Sequence, residues 1–354
     1  MRTMDSRTAR GSVAEAVDAV RAGRMVIIVD DEERENEGDF VMAAEHVSPQ
    51  AINFMATIGR GLICAPMRTE LLDDLEIPPA VANNTDPKRT AFRVSVDHAA
   101  LTTTGISATD RSNTIRALID PASRPADFTR PGHVFPLGYC EGGVLARQGH
   151  TEAAIDLIEI AGLIPAGVIC EICSPDGEMA RMSELLEIGQ RQDLPVLTIA
   201  ELVSHRRREL CHVRRTGEAR LPLAAGTFRA IGFVDGANRE HIALVIGTLD
   251  AEHVPLVSIH AEWLIGDVFG PGRDELERSL SRIAAHGSGA VVYLRGDDGL
   301  TATSLMPGRP VADHDEQVAK QILADLGANE RRYRTLDSAP SICAARVQHD
   351  VQTG

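Results

Sequence analysis

The sequence lacks long apolar runs, an excess of basic residues and a dense set of cysteines. None of its apolar runs approaches the roughly 18 residues that a membrane-spanning helix needs. The first twelve residues, MRTMDSRTARGS, contain no apolar segment of the kind found in export signals. These absences predict a cytoplasmic protein that has no membrane partner.

The charge balance argues against nucleic-acid binding. Lys and Arg number 36 against 51 Asp and Glu, which gives a formal net charge of -15. A chain of this charge repels a phosphate backbone unless basic residues cluster locally. We therefore expect no nucleic-acid partner.

Six cysteines in 354 residues are too sparse for a disulfide framework, so we expect reduced thiols. Cys170 and Cys173 form a CxxC pair, but no second pair follows at the spacing of a zinc site. The pair lies in an apolar run that is typical of a strand. We therefore interpret it as part of the core and not as a metal or redox site.

Length and patterning predict two domains of mixed α/β structure. Helices are expected at 12–22 and 151–161, capped by Ser12 and Thr151 respectively, and strands alternate with helices along the first half. Six arginines in residues 205–220, with little apolar periodicity, predict an exposed connection. The predicted domain boundaries are 1–207, a basic linker at 208–220, a second domain at 221–335 and a tail at 336–354.

Residues 30–39, DDEERENEGD, place seven carboxylates directly after a buried strand. A divalent cation would relieve their mutual repulsion, and so would water around a solvated loop. Both interpretations stay open from the residues alone. The position at a strand end favours the metal.

Three further segments have side chains suited to catalysis or phosphate binding. In Arg147-Gln-Gly-His-Thr151 a cation, an imidazole and a helix N-terminus coincide, which suits a phosphate. His133 lies between Pro131 and Pro136, which predicts an imidazole in a rigid loop. Glu171 lies in an apolar strand, where a carboxylate needs a partner. Together with the acidic run, these segments indicate a metal beside a phosphate site, which fits a phosphorylated polyol or sugar.

Four segments, DDEERENEGDF, TTGISATDR, RPGHVFPL and GGVLARQGHTEAAIDL, resemble 3,4-dihydroxy-2-butanone 4-phosphate synthase over roughly residues 10 to 205. The resemblance implies a synthase-type α/β sandwich and a homodimer that requires Mg²⁺ or Mn²⁺. It also implies conversion of D-ribulose 5-phosphate to a four-carbon riboflavin precursor plus formate.

The same resemblance assigns roles to individual positions. Glu35 and His150 would bind the metal, and His133, Glu171 and Glu37 would be catalytic. The implied substrate-binding residues are Arg34, Glu35, Asp39, Arg147, Gln148, Gly149, His150, Thr151 and Glu171. Gln148 departs from the family pattern, which commonly has glycine there, and this change is expected to perturb a loop without removing a ligand.

The second half, about residues 221 to 330, resembles GTP cyclohydrolase II, an enzyme with three zinc-binding cysteines. Those three positions are Trp263, Asp274 and Leu276 in this chain, and Asp274 alone cannot form a three-ligand zinc site. An EGRG-type stretch of the family is replaced by residues 296–299, and an ungapped alignment puts Ala312 and His314 at its catalytic positions. We therefore expect no zinc, no GTP ring opening and a degenerate domain with a scaffold, dimer-stabilising or effector-binding role.

Two alternatives remain. A bifunctional enzyme would need a replacement zinc site, for example from His260, Glu262 and Asp274. A non-catalytic regulatory or binding protein would need the first domain to be inactive as well, and the retained His133 and His150 argue against this.

Overall fold

Two sheets, one in each half, organise the chain. The computed structural model describes residues 11–249, 254–296, 313–328 and 333–336. The chain divides into two compact units between Arg206 and Arg207, each with a sheet and helices. The predicted two-domain mixed α/β fold is confirmed.

In the first unit, helices and strands alternate. The helices are α1 (Val13–Arg21), α2 (Pro49–Phe54), α3 (Thr69–Asp74), α4 (Ala108–Leu118), α5 (His150–Ile160), α6 (Met182–Gln192) and α7 (Ile199–Cys211), the last of which runs past the division between the units. The strands are β1 (Val26–Val29), β2 (Gly38–Ala43), β3 (Cys64–Met67), β4 (Val96–His98), β5 (Phe128–Gly138), β6 (Gly167–Glu171) and β7 (Val196–Thr198). Their order in the sheet is β4-β5-β3-β6-β2-β1-β7.

Helices cover both faces of this sheet because its central strands are apolar on both sides. Side chains of a strand alternate between the two faces. Ile27 and Val29 accordingly pack in one buried cluster with residues of α2, α3, α4 and α6, while Val26 and Ile28 pack in a second cluster with residues of α1, α5 and α7. The result is a three-layer sandwich.

The start of α1 was predicted correctly. At α5 the predicted start was one residue late and the predicted N-cap two residues late. Ser12 accepts the N–H of Glu15, and Glu15 bonds back to the Ser12 N–H, which completes a capping box. Helix α5 begins at His150, and its N-cap residue is Gly149. The prediction of Thr151 as N-cap was wrong, because glycine also serves at this position and Thr151 is buried inside the first turn.

The second unit has a six-stranded sheet of order β13-β11-β12-β10-β9-β8. Its strands are β8 (Arg214–Leu223), β9 (Gly226–Val234), β10 (Glu240–Ile246), β11 (Leu256–Ala261), β12 (Gly289–Leu294) and β13 (Arg334–Thr335). Its helices are α8 (Leu264–Phe269), α9 (Pro271–His286) and α10 (Asp313–Asp325). The predicted tail at 336–354 lies outside the described residues except for Leu336.

The segment 208–220 contains regular structure where an exposed linker was expected. It comprises the end of α7 and most of β8, an edge strand that pairs antiparallel with β9. Nearly all of β8 is exposed, so backbone pairing and not apolar periodicity determines this strand. The arginines of this segment therefore lie largely on an exposed edge strand, which the low apolar periodicity did not predict. In the part of the chain that the structure describes, no helix is long and apolar enough to cross a membrane.

Candidate active site

The acidic run after β1 is folded around one buried carboxylate. Asp30 is 6% exposed, and its Oδ1 accepts the N–H of Glu37 at 2.8 Å while its Oδ2 accepts the N–H of Glu35 at 3.1 Å. These bonds turn Glu35 and Glu37 inward, whereas residues 31–33 stay exposed. The run is therefore partly a solvated loop and partly a cluster of inward carboxylates.

His150, the first residue of α5, faces these carboxylates. Its Nδ1 lies 3.8 Å from Glu35 Oε2, and its buried Nε2 has no hydrogen-bond partner among the described residues. Burial lowers the pKa of His150, which favours the neutral imidazole that binds metals. A buried ring nitrogen without a partner is costly unless something binds it.

Asp30, Glu35 and His150 together offer ligand atoms that all lie within 4.8 Å of one another. Across the described ranges this is the one group of three or more His, Cys, Asp or Glu residues that meets this criterion. Two carboxylates and one imidazole suit Mg²⁺ or Mn²⁺, so the residues present fit a divalent cation. The structure thus brings Glu35 and His150 together and adds Asp30, which was recognised in the sequence only as part of the acidic run.

Arg34 neutralises part of this cluster. Its Nη1 lies 2.8 Å from Asp30 Oδ2 and 2.7 Å from Glu35 Oε2. The two carboxylates therefore share one guanidinium. The role of Arg34 in substrate binding stays a prediction.

Arg147 precedes α5 and is held by several oxygens. Its Nη1 lies 2.6 Å from Glu152 Oε2, and its other nitrogens donate to the Lys88 carbonyl and to Thr90 Oγ1. Gly149 leaves room for this arrangement, since a Cβ there would lie 2.2 Å from Arg147 Nη1 and displace it.

Lys88, which the sequence analysis missed, links this region to the acidic loop. Its Nζ donates to the Arg34 carbonyl at 2.6 Å. A basic residue in a polar loop was the available signal in the sequence. Gln148 is exposed, while Thr151 is buried at the helix start. No described contact tests their predicted roles.

Asp39 and Glu171 are direct cross-strand partners on β2 and β6. Burial, then the charges of Glu171 and Glu37, raises the pKa of Asp39 well above its usual range, and Asp39 Oδ1 has no partner among the described residues. Burial and the charge of Glu35 also raise the pKa of Glu37. Glu171 Oε2 accepts the N–H of Leu62 at 2.8 Å. Buried carboxyl groups with raised pKa values beside other carboxylates are suited to acid–base chemistry.

The raised pKa of Asp39 predicts a pH-dependent stability. The folded state keeps this proton to higher pH than the unfolded chain, so stability falls as pH rises from about 4, the usual aspartate range, through the raised pKa. In EDTA, Asp39→Asn is expected to match the wild-type melting temperature near about pH 4 and to exceed it near about pH 7. The exposed Asp74→Asn should not show this divergence. If the melting temperatures of Asp39→Asn and wild type differed by the same amount at both pH values, the assignment would be contradicted.

His133 lies within strand β5 and not in the rigid loop that its flanking prolines predicted. The strand tolerates this sequence because β4 pairs with it and Gly132 allows a close approach, with its N–H donating to the Ser95 carbonyl. His133 Nδ1 lies 2.6 Å from Asp97 Oδ2. Among the described residues no hydrogen bond or ion pair joins His133 to Asp30, Glu35 or His150.

In the second unit, His260 is already engaged by a carboxylate. Its Nε2 lies 2.9 Å from Asp267 Oδ1. Asp267 Oδ2 accepts hydrogen bonds from the Tyr293 hydroxyl and from the backbone N–H of Trp263. Over the described ranges, His260, Glu262 and Asp274 do not form a ligand group. Residues 297–299 and Ala312 lie outside the described residues. His314 is on α10, where its Nδ1 lies 3.3 Å from Cys211 Sγ.

Comparison with family models matches both units. Residues 14–205 match the model described as 3,4-dihydroxy-2-butanone 4-phosphate synthase, and residues 214–337 match GTP cyclohydrolase II. A protein named riboflavin biosynthesis protein RibBA from Bacillus mycoides is 44% identical over 91% of this chain and 87% of its own length. The protein of that name from Bacillus subtilis is 50% identical over 80% of this chain and 72% of its own length.

Solved structures give the same picture. RibBX, described as a two-domain 3,4-dihydroxy-2-butanone 4-phosphate synthase from A. baumannii, is 35% identical, with a TM-score of 0.59 and coverage of 95% of this chain and 96% of its own. A 3,4-dihydroxy-2-butanone 4-phosphate synthase in complex with two magnesium ions is 40% identical, with a TM-score of 0.54, and covers 56% of this chain and 97% of its own.

Proposed function

Because the chain belongs to the 3,4-dihydroxy-2-butanone 4-phosphate synthase family of riboflavin biosynthesis, we propose that it converts D-ribulose 5-phosphate to 3,4-dihydroxy-2-butanone 4-phosphate and formate. The observation that carries the proposal is the cluster that His150, at the start of α5, forms with Asp30 and Glu35 after β1. The cluster lies at the end of the segment 147–151, which was predicted to bind phosphate.

A divalent cation held by Glu35 and His150, with Asp30 beside them, would polarise the ketone and an adjacent hydroxyl of the sugar and so acidify the neighbouring C–H. We propose Mg²⁺, as in the relative that binds two magnesium ions, with Mn²⁺ as a substitute. The unpartnered Nε2 of His150 supports this assignment.

The phosphate group would bind at residues 147–151. Helix α5 has eleven residues, and its N-terminal N–H groups favour an anion. Arg147 adds a guanidinium whose position is set by Glu152, Lys88 and Thr90. Arg34 would contact the sugar once the cation replaces it at the carboxylates.

Proton transfer is assigned to Glu171, Glu37 and His133, with Asp39 at the substrate. Glu171 is the proposed base, and the Leu62 N–H orients its Oε2 beside Asp39. His133 supplies an imidazole with a half-exposed ring.

We also propose that the second unit has no GTP cyclohydrolase II activity and takes no zinc. The presence of Trp263 and Leu276 at cysteine positions supports this, and so does the pairing of His260 with Asp267. RibBX, which matches over both units, is described as a two-domain synthase. The remaining role is a scaffold, a dimer contact or an effector site.

The proposal includes a homodimer in the cytoplasm. Every cysteine that the structure describes is a free thiol, which suits a reducing compartment. Size-exclusion chromatography with light scattering measures the oligomer directly.

The decisive assay measures formate from D-ribulose 5-phosphate with Mg²⁺, with and without EDTA, beside a GTP turnover assay. We expect formate release that EDTA abolishes and Mg²⁺ restores, together with no GTP consumption. A folded protein that releases no formate would overturn the synthase proposal. GTP turnover with stoichiometric zinc would establish the bifunctional alternative.

A further inference from the structure

Asp97 contacts His133 at two points. Its Oδ2 lies 2.6 Å from His133 Nδ1, and its Oδ1 accepts the backbone N–H of His133 at 2.9 Å. The Asp97 side chain is 11% exposed, whereas the His133 side chain is 43% exposed. A buried carboxylate therefore orients an imidazole that remains open to solvent.

The backbone of the turn at Gly105 lies close to both members of the pair. Gly105 has a φ of +90°, and a Cβ there would lie 2.0 Å from Asp97 Oδ2 and 2.4 Å from His133 Nδ1. Asp110 fastens this turn, because its Oδ2 accepts the Gly105 N–H at 3.0 Å and the Thr103 hydroxyl at 2.9 Å. The turn that contains Gly105 thus packs against both the Asp97 carboxylate and the His133 ring.

The strand on the other side also approaches closely. A Cβ on Gly132 would lie 2.0 Å from the carbonyl carbon of Val96 and 2.2 Å from the Asp97 nitrogen. Two glycines therefore bring two stretches of backbone against one Asp–His pair. By contrast, no described residue hydrogen-bonds His133 Nε2.

This geometry determines which ring nitrogen is basic. A carboxylate only accepts hydrogen bonds, so Nδ1 carries the proton and Nε2 carries the free lone pair of the neutral ring. A carboxylate in this position also stabilises the imidazolium that forms when Nε2 takes up a proton.

We propose that Asp97 is a positioning residue that fixes His133 as the Nδ1–H tautomer. His133 Nε2 then accepts a proton from the phosphorylated ketose, and the same proton is returned from Nε2 later in the turnover. Asp97 itself touches no substrate. The inference rests on the proposed function, since it needs a sugar that gives up a proton.

Asp97→Asn tests the proposal because its outcome follows from the two contacts. The asparagine oxygen can still accept the backbone N–H of His133, which leaves the asparagine NH₂ facing Nδ1. Because this NH₂ donates a hydrogen bond, Nδ1 must accept it and the ring proton moves to Nε2. We expect kcat to fall by about 10²- to 10⁴-fold with KM changed little. Asp97→Glu keeps a carboxylate and is expected to recover part of kcat. Asp127→Asn removes a carboxylate charge but keeps an oxygen that can accept the Arg124 N–H, and it is the matched control.

Nitrogen NMR of ¹⁵N-histidine-labelled protein distinguishes control of the His133 tautomer by Asp97 from a purely structural role of Asp97. With the His133 signals assigned through His133→Gln, wild type is expected to show the Nδ1–H tautomer and Asp97→Asn the Nε2–H tautomer. An unchanged tautomer, or wild-type kcat in folded Asp97→Asn, would overturn the proposal. Absence of formate from wild type would instead refute the proposed function, and the tautomer comparison would still decide the part played by Asp97.

Discussion

His150→Ala is expected to lower formate release by about 10³-fold or more, because it removes the imidazole from a three-residue cation site. The protein should remain folded, since the buried Nε2 of His150 has no partner to lose among the described residues. Mg²⁺ or Mn²⁺ titration calorimetry is expected to show weakened binding in parallel. The same loss is expected for Glu35→Ala.

Glu33→Gln is the matched control for the metal-site variants. Glu33 belongs to the same acidic run but is exposed and outside the ligand group. It should retain wild-type formate release and cation affinity. If His150→Ala kept wild-type activity that EDTA abolishes, the cation would be bound elsewhere.

Glu171→Gln is expected to have opposite effects on activity and stability. Loss of the carboxylate should reduce kcat by about 10²- to 10⁴-fold, as for removal of a general base. The variant should melt at a higher temperature near neutral pH, because glutamine can still accept the Leu62 N–H but no longer repels Asp39. Formate assays and thermal unfolding in EDTA measure the two effects.

Glu178→Gln controls for charge removal near the same strand. Glu178 is exposed in the turn after β6, so its replacement should change neither formate release nor melting temperature appreciably. Equal loss of activity and stability in Glu171→Gln would mean that Glu171 acts through the fold and not in proton transfer.

Local motifs were sufficient for part of the site. The acidic run and the segment 147–151 stood out because each lies beside a strand end or helix start and has an unusual composition, and the family resemblance then assigned the metal to Glu35 and His150. Helix α1 was also predictable, since Ser12 and Glu15 form a cap within three residues. Such features depend on neighbours along the chain, which a sequence displays directly.

Contacts between distant segments were not predictable in the same way. Asp97 and His133 are 36 residues apart, and their pairing depends on how β4 meets β5. Lys88 reaches the Arg34 carbonyl across 54 residues. Thus the sequence by itself determined the α/β character and the family resemblance, because short-range patterns encode the first and long motifs carry the second. The resemblance in turn named Glu35 and His150 as candidate cation ligands. Only the tertiary structure decided that Asp30 joins the ligand group, which carboxylates are buried and which nitrogen of His133 is free, because burial and long-range hydrogen bonds exist only once the strands are paired.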